Sequence, residues 1–301
     1  MFCTFKQIEQ YILASGVKKR IALAGAHDSY SLEAVVHARR QGVATALLLG
    51  DTAAISELLR GMDEPLEAYE LIQCDTEDEC ARRTVALVHE GKADLPMKGL
   101  LQTSSYMRAV LDKQMGLLPP GGLLSQSTLV EWPQENRLFQ ITDCAINIAP
   151  GYEQKVKLIE NAVVLAHKLG CELPKVAAIS AVETVNPKIP STVEADQLKA
   201  ACAAGQITGC LVGGPLALDN AISLEAARHK GISDPVAGCA DILVMPDLCA
   251  GNIFTKSLTF FAGMTSAGAL LGTTTPVIAT SRTDTPQNKY NGILVALLNG
   301  L

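Results

Sequence analysis

The sequence predicts an α/β protein with mostly parallel sheets and helices on both faces, and three observations predict it. Short apolar runs alternate with amphipathic stretches of helical period almost from end to end. Gly, Asp, Asn and Pro cluster between them, with no tandem repeat or low-complexity linker. The 301 residues are 48% hydrophobic and 19% charged, enough for a large core and for two domains. Aromatic residues make up only 4%, so the core is aliphatic and offers no stacking platform for single-stranded nucleic acid.

In chain order, residues 19–25 read as a buried strand, 31–41 as a helix, 44–50 as the next strand and 52–60 as the next helix. Residues 69–74 (strand), 76–91 (helix), 93–96 (short strand) and 103–113 (helix) continue the alternation. Residues 123–132 and 137–144, separated by Pro133-Gln134-Glu135-Asn136, read as a hairpin. A helix over 153–169 and a strand over 175–182 follow. Ser191-Thr192-Val193-Glu194 then has capping-box spacing at the start of a helix that reaches Ala204. Residues 207–212, 240–245 and 276–280 read as strands, and 218–228, 252–262 and 287–298 as helices. The uncharged stretch 257–280 is long enough to span a bilayer. Gly263, Gly268, Gly272 and the Thr273-Thr274-Thr275-Pro276 break suit helix, turn and buried strand better, so no membrane partner is expected.

A formal charge of −6 argues against a general nucleic-acid binder, so an anionic ligand needs a local basic cluster. Nine cysteines form an odd set without a C-x-x-C pair, which reads as reduced, buried thiols in a cytoplasmic protein. The first ten residues carry charge where a signal peptide would be apolar. Neither G-x-G-x-x-G nor G-x-x-x-x-G-K-[ST] nor G-x-S-x-G occurs, and no dense Asp/His cluster calls for a metal.

Loops that follow parallel strands lie on one edge, where open α/β sheets hold ligands. That rule gathers His27-Asp28, Met97-Lys98-Gly99, Asp143, residues 183–187, Gly213-Gly214-Pro215, Gly251-Asn252 and Ser281-Arg282. Gly251-Asn252 is read as a helix start that presents free N–H groups to an anion, with Lys256 one turn further on. Lys98 and Arg108 flank Thr103, read as the cap of another helix. Ser281-Arg282 adds a hydroxyl and a bidentate guanidinium. Together they are equipment for gripping a phosphate or an acyl phosphate. Asp143 and Asn147 either position substrate or cap the next helix. His27 follows a strand and is a candidate for the same edge, whereas His37, His89, His167 and His229 lie on predicted helices and read as structural.

On Met97-Lys98-Gly99-Leu100-Leu101-Gln102-Thr103-Ser104, the 141–148 and 182–192 stretches, Gly214-Pro215-Leu216-Ala217-Leu218-Asp219-Asn220, the 247–256 run and Ser281-Arg282, the chain resembles the phosphate acetyltransferase/phosphate butyryltransferase family, most of all its butyryltransferase branch. The resemblance implies a two-domain fold of the isocitrate/isopropylmalate dehydrogenase-like kind. Residues 1–143 with 277–301 would form one discontinuous domain and 144–276 the second, with the active site in the cleft between them and a homodimer or higher oligomer built through the second. It also implies the reaction butyryl-CoA + phosphate = butyryl phosphate + CoA by direct attack in a ternary complex. Acyl-CoA, phosphate and acyl phosphate are then the small-molecule partners, with coenzyme A a substrate and no permanently bound cofactor. On the family's pattern Ser281 lies beside the reacting carbonyl and thiol, Arg282 binds the phosphoryl group, and Arg108 matches a second phosphate-binding arginine.

Two positions depart from that pattern. Acetyltransferases carry an aspartate where this chain has Asn288, which accepts no proton at neutral pH, and Asp284 is the nearest carboxylate. Gly213 stands where relatives usually have an aspartate. Three further readings follow: a phosphate acetyltransferase, a nicotinamide-dependent dehydrogenase of the same fold, and a non-catalytic CoA or acyl-phosphate-binding protein.

Overall fold

A computed structural model describes residues 1–301. The chain divides into two units. The first comprises Phe5–Gly122 and Ala267–Leu301; the second comprises Met1–Thr4 and Leu123–Ser266. The boundary at Leu123 lies ahead of the predicted crossing at Asp143, and the return at Ala267 precedes the predicted 277. Hydrogen bonding explains the earlier boundary. Strands β5 (Ser125–Trp132) and β6 (Arg137–Thr142) pair antiparallel, and β6 pairs in parallel with β9 (Ile242–Val244), so the hairpin belongs to the second sheet.

The first unit runs α1 (Phe5–Ser15), β1 (Lys19–Ala24), α2 (Ser29–Gln41), β2 (Ala44–Gly50), α3 (Thr52–Gly61), β3 (Glu70–Gln73), α4 (Glu77–His89), β4 (Leu95–Lys98) and α5 (Thr103–Val110). After the second unit it resumes in β10 (Ser266–Leu271), β11 (Ile278–Ala279) and α11 (Pro286–Asn299). Its sheet is ordered β11-β4-β1-β2-β3, and every pairing in it is parallel. Caps fix where the helices begin. Asp28 accepts from Ser31 N, Asp51 from Ala53 N and Ala54 N, and Thr76 from Glu79 N ahead of three acidic residues in the first turn of α4. Thr285 caps α11 with Pro286 at the first helical position. Every residue of α11 from Asn288 to Leu298 is buried, and the helix packs against α1 and α2. Helix α1 has no counterpart in the sequence reading. Its buried face is only Phe5, Ile8 and Ile12, diluted by polar neighbours.

The second unit continues from the hairpin through α6 (Tyr152–Lys168), β7 (Lys175–Ile179), α7 (Pro190–Ala203), β8 (Leu211–Leu216), α8 (Leu218–Ile222), α9 (Leu224–His229), β9 and α10 (Leu248–Phe260). Its sheet is ordered β10-β5-β6-β9-β7-β8. Ile159 and Val163 of α6 and Leu198 of α7 cover one face of the sheet, and Ala221, Ala227 and Val236 lie in the cluster on the other.

Three local expectations are corrected here. Gly213-Gly214-Pro215 lies inside β8 rather than in a loop, and a register shift between Ala177 and Ile179 of β7 accommodates the proline. The predicted 218–228 helix is broken at Ser223, which leaves helical dihedrals and caps α9. The Ser191 capping box does not form, because α7 begins at Pro190 and the Ser191 hydroxyl bonds that of Ser180 at 2.7 Å. No helix is long and apolar enough to cross a membrane. All nine cysteines are free, but only Cys74, Cys80, Cys144 and Cys210 are buried.

Candidate active site

The strand order of the first unit places its ligand-binding edge. The chain builds β1, β2 and β3 outward on one side, then crosses to β4 and β11 on the other. The order therefore reverses between β1 and β4, and the crevice beyond the carboxyl ends of those strands is where such sheets hold ligands. Two loops leave there in close contact: Gly99 N donates to Ala24 O at 2.7 Å and Leu100 N to Gly25 O at 2.9 Å. A Cβ on Gly99 would meet Gly25 O at 2.5 Å, and one on Gly25 would meet Leu100 O at 2.7 Å. Only glycine at both positions lets the two backbones cross this closely.

That crossing fixes Lys98, the last residue of β4, in a buried position between Ala24 of β1 and Ala279 of β11. A second buried lysine, Lys289, reaches the same edge from α11. Its Nζ donates to Thr280 Oγ1 at 3.2 Å and to Ser281 O at 2.8 Å, while Lys98 Nζ donates to Gly99 O at 3.3 Å. Both amines are thus held by neutral oxygens. Burial pushes Lys98 down to about 8, and the cations Lys289 and Arg282 push it the same way, against the pull of Asp28 and Glu77. Burial also lowers Lys289, opposed by Asp28 and Asp284. Lys289 is not legible in the sequence, because a lysine within an apolar helix gives no spacing signal and only the fold turns it toward Ser281.

Ser281 and Arg282 follow β11 and are exposed. Asp284 Oδ2 accepts from Ser281 N at 2.7 Å, and the Ser281 hydroxyl lies 3.0 Å from that of Thr283, so the loop is braced from within. Asn288 is buried in the first turn of α11, its N–H bonded to Thr285 Oγ1 at 3.1 Å. Arg282 Nη2 donates to Gln102 Oε1 at 3.0 Å, and Gln102 N donates to Glu77 Oε2 at 2.8 Å. Gln102, rather than Thr103, holds the cap position of α5, and it makes no side-chain cap bond. Thr103 is the first helical residue and is exposed. Arg108 turns toward α4, where Nη1 meets Asp78 Oδ2 at 3.0 Å beside a groove of about 400 Å³ shared with Arg82, Ser105 and Met115. His27 is half-buried at the end of β1, and its buried Nδ1 has no hydrogen-bond partner.

The remaining candidates sit in the second unit, so the loops do not share one sheet edge. The Asp143 carboxylate accepts from Ala145 N at 2.8 Å, Ile146 N at 2.9 Å, Gln126 N at 3.1 Å and Asn147 Nδ2 at 2.7 Å. Asn147 also donates to Leu124 O at 2.9 Å. Of the two roles the sequence left open, this geometry favours holding the loop after β6. Gly251 and Asn252 are not a helix start. Helix α10 begins at Leu248 under an Asp247 cap, and Gly251 N is bonded to Asp247 O at 3.1 Å. Gly251 instead lets α10 pack on the backbone of Asp143 and Cys144, and Asn252 Nδ2 donates to Cys144 O at 3.2 Å. Lys256 lies exposed one turn on. At Gly213 a side chain would collide with Asp234, whose carboxylate already fills that space and pairs with Lys199 at 2.7 Å.

The chain is similar to known proteins in sequence and fold. The model of the phosphate acetyl/butaryl transferase family matches residues 76–297. A phosphate butyryltransferase of Clostridium acetobutylicum is 41% identical over 298 residues, covering 99% of this chain and 98% of the relative. The crystal structure of a branched-chain phosphotransacylase from Enterococcus faecalis superposes with a TM-score of 0.82 at 34% identity, covering 93% of this chain and 98% of the other. A 4-hydroxythreonine-4-phosphate dehydrogenase from Klebsiella pneumoniae shares the fold alone, with a TM-score of 0.56 at 13% identity over 95% of this chain and 100% of the other, which marks the architecture as dehydrogenase-like. Matched by the family model over residues 76–297 and 41% identical to a butyryltransferase along nearly its whole length, the chain belongs to the phosphate acetyl/butaryl transferase family of acyltransferases.

Proposed function

We propose that this protein exchanges a short acyl group between CoA and inorganic phosphate, with butyryl-CoA + phosphate ⇌ butyryl phosphate + CoA as the preferred form. The observation that supports it best is the cationic edge of the first unit, where Lys98, Lys289 and Arg282 gather around Ser281. Such an edge costs stability unless an anion occupies it. Phosphate and acyl phosphate are anions of the right size, and Arg282 offers a planar donor fork to two phosphoryl oxygens.

In the reaction a phosphate oxygen attacks the acyl carbon, the C–O bond forms, the C–S bond breaks and CoA leaves as the thiolate. Negative charge grows on the carbonyl oxygen and on sulfur, and fixed cations already in place lower the barrier without reorganising. Arg282 would orient the phosphate and Ser281 would donate to the developing oxyanion. Butyryl is preferred over acetyl on the strength of the relatives; each methylene in an apolar pocket discriminates by about 1–3 kcal/mol. The nine free thiols suit a cytoplasmic location, and a homodimer is the expected assembly, which light scattering on the purified protein tests.

The test is phosphate-dependent release of free CoA thiol from acetyl-, propionyl-, butyryl- and isobutyryl-CoA. Turnover that requires phosphate and is fastest with the four-carbon chains is expected. Folded protein with no turnover on any of them would overturn the reading.

A further inference from the structure

Acyl transfer to CoA requires that a thiol lose its proton, and an ordinary thiol with a pKa of about 8.5 is mostly neutral at pH 7. Asn288, in the first turn of α11 after the Ser281-Arg282 loop, is an amide, and an uncharged amide accepts no proton. Asp284 already holds the Ser281 N–H with one carboxylate oxygen. A group committed less to the loop lies elsewhere on the same edge. We propose that Lys98, as its neutral amine, is the proton acceptor for the CoA thiol. The assignment rests on the acyltransfer reading above.

Geometry singles out Lys98 from the two buried lysines of this edge. Lys289 is committed, with Nζ bonded to both Thr280 Oγ1 and Ser281 O, so it positions the serine backbone. Lys98 donates only toward the carbonyl of its own neighbour Gly99, at 3.3 Å, and keeps the rest of its hydrogen-bonding capacity. It is anchored at the switch point by the Gly25–Gly99 crossing, and its Cα is in register with Ala279, two residues before Ser281. Four charged groups face it from the packed elements: Asp28 from the loop after β1, Glu77 from α4, Arg282 from the loop after β11, and Lys289 from α11. Two buried ammonium groups beside a guanidinium repel one another, so one of them gives up its proton most readily. Burial and these cations bring Lys98 to about 8, close to the thiol it would deprotonate, so transfer between them is nearly thermoneutral.

In the direction of acyl-CoA synthesis the Lys98 lone pair takes the thiol proton and the thiolate attacks the acyl carbon of the acyl phosphate. The S–C bond forms and the C–O bond to phosphate breaks. The Lys98 ammonium then gives the proton to the departing phosphate, which leaves as hydrogen phosphate, and the amine is regenerated. In the opposite direction the same ammonium protonates the leaving CoA thiolate.

The test is the pH dependence of kcat/KM for CoA with butyryl phosphate, for the wild type, Lys98→Arg, Lys289→Met and Asp284→Asn, with circular dichroism melts for each. The wild type should rise with pH to a plateau through about pH 8. Lys98→Arg keeps the charge but removes the base, and should lose about 100-fold or more at pH 7.5, with a rate that goes on rising with hydroxide. Lys289→Met removes a like charge and should move the wild-type limb to higher pH, a readout that a purely structural role for Lys98 would not give and that holds even if Lys98→Arg does not fold. Asp284→Asn should keep the limb where it is. Lys98→Arg within tenfold of wild type with an unmoved limb, an unmoved limb in Lys289→Met, or a limb lost in Asp284→Asn would each overturn the assignment while leaving acyltransfer standing. Absence of wild-type turnover would overturn both.

Discussion

The strand-end loops of the two units are built from opposite electrostatics. In the first unit Lys98, Lys289 and Arg282 crowd one edge and are held by neutral oxygens. In the second unit the Asp143 carboxylate is saturated by three backbone N–H groups and the Asn147 amide, and α10 is capped by its own Asp247. A network with every donor matched to an acceptor is finished; it rigidifies a loop and has little left to offer a ligand. A network of cations without a matched anion is unfinished, and a ligand completes it. Sequence position alone does not distinguish the two, because both follow strands and both mix charge with hydroxyls.

The largest effect is expected from opening the finished network. Asp143→Ala leaves three backbone N–H groups without an acceptor and takes one of two partners from the Asn147 amide, and we expect a loss of about 3–5 kcal/mol in urea unfolding. A loss under about 1 kcal/mol, with CoA affinity falling instead, would move Asp143 from scaffold to ligand. Next in size is Arg282→Ala, an exposed change on the unfinished edge. It should lower kcat/KM for phosphate by about 100- to 1,000-fold and leave the melting temperature within a degree or two. Near-normal kinetics would remove Arg282 from the site.

Two measurements of stability then sharpen the picture. Lys98 is held below the unfolded lysine value, so its charged form carries its full cost below about pH 8. Between about 8 and the ordinary lysine range the unfolded chain binds more protons than the folded one, and this group makes stability rise with pH. Lys98→Met should therefore flatten that rise and stabilise the protein at pH 7 by about 1–3 kcal/mol while activity is lost. A less stable Lys98→Met variant would show that the amine belongs to the fold rather than to a ligand. Inorganic phosphate at 100 times its Kd should stabilise the wild type by about 2.7 kcal/mol and Arg282→Ala far less. The smallest expected effect is Asn288→Asp. Asn288 sits beside Lys289 in the buried first turn of α11, so a new carboxylate there should change kcat by only a few-fold.

Much of the fold was legible in the sequence, and particular residues explain what was not. Strand β2 and the β5–β6 hairpin were readable because their patterns are local: a continuous apolar run, and two alternating segments around a Pro-Gln-Glu-Asn turn. The unit boundary was not, since which sheet a hairpin joins depends on long-range pairing with β9. Ser281, Arg282 and Lys98 were readable as charge and hydroxyl just after apolar runs. Lys289 and Gln102 were not, one masked by an apolar helix and the other by an ordinary cap position. Gly251-Asn252 was misread because the Asp247 cap, four residues earlier, competes for the same helix start and wins.

The discontinuity of the first unit has a consequence for biosynthesis. Residues 5–122 are translated before residues 123–266 but lack β11 and α11, which arrive only after that stretch. Thr280, Ser281, Arg282 and Lys289 all come from that late segment. The second unit, apart from Met1–Thr4, is one continuous stretch and is free to fold while synthesis continues. Lys98 and its two glycines are therefore synthesised long before Arg282 and Lys289, and the crowded cationic edge comes into being only as α11 docks.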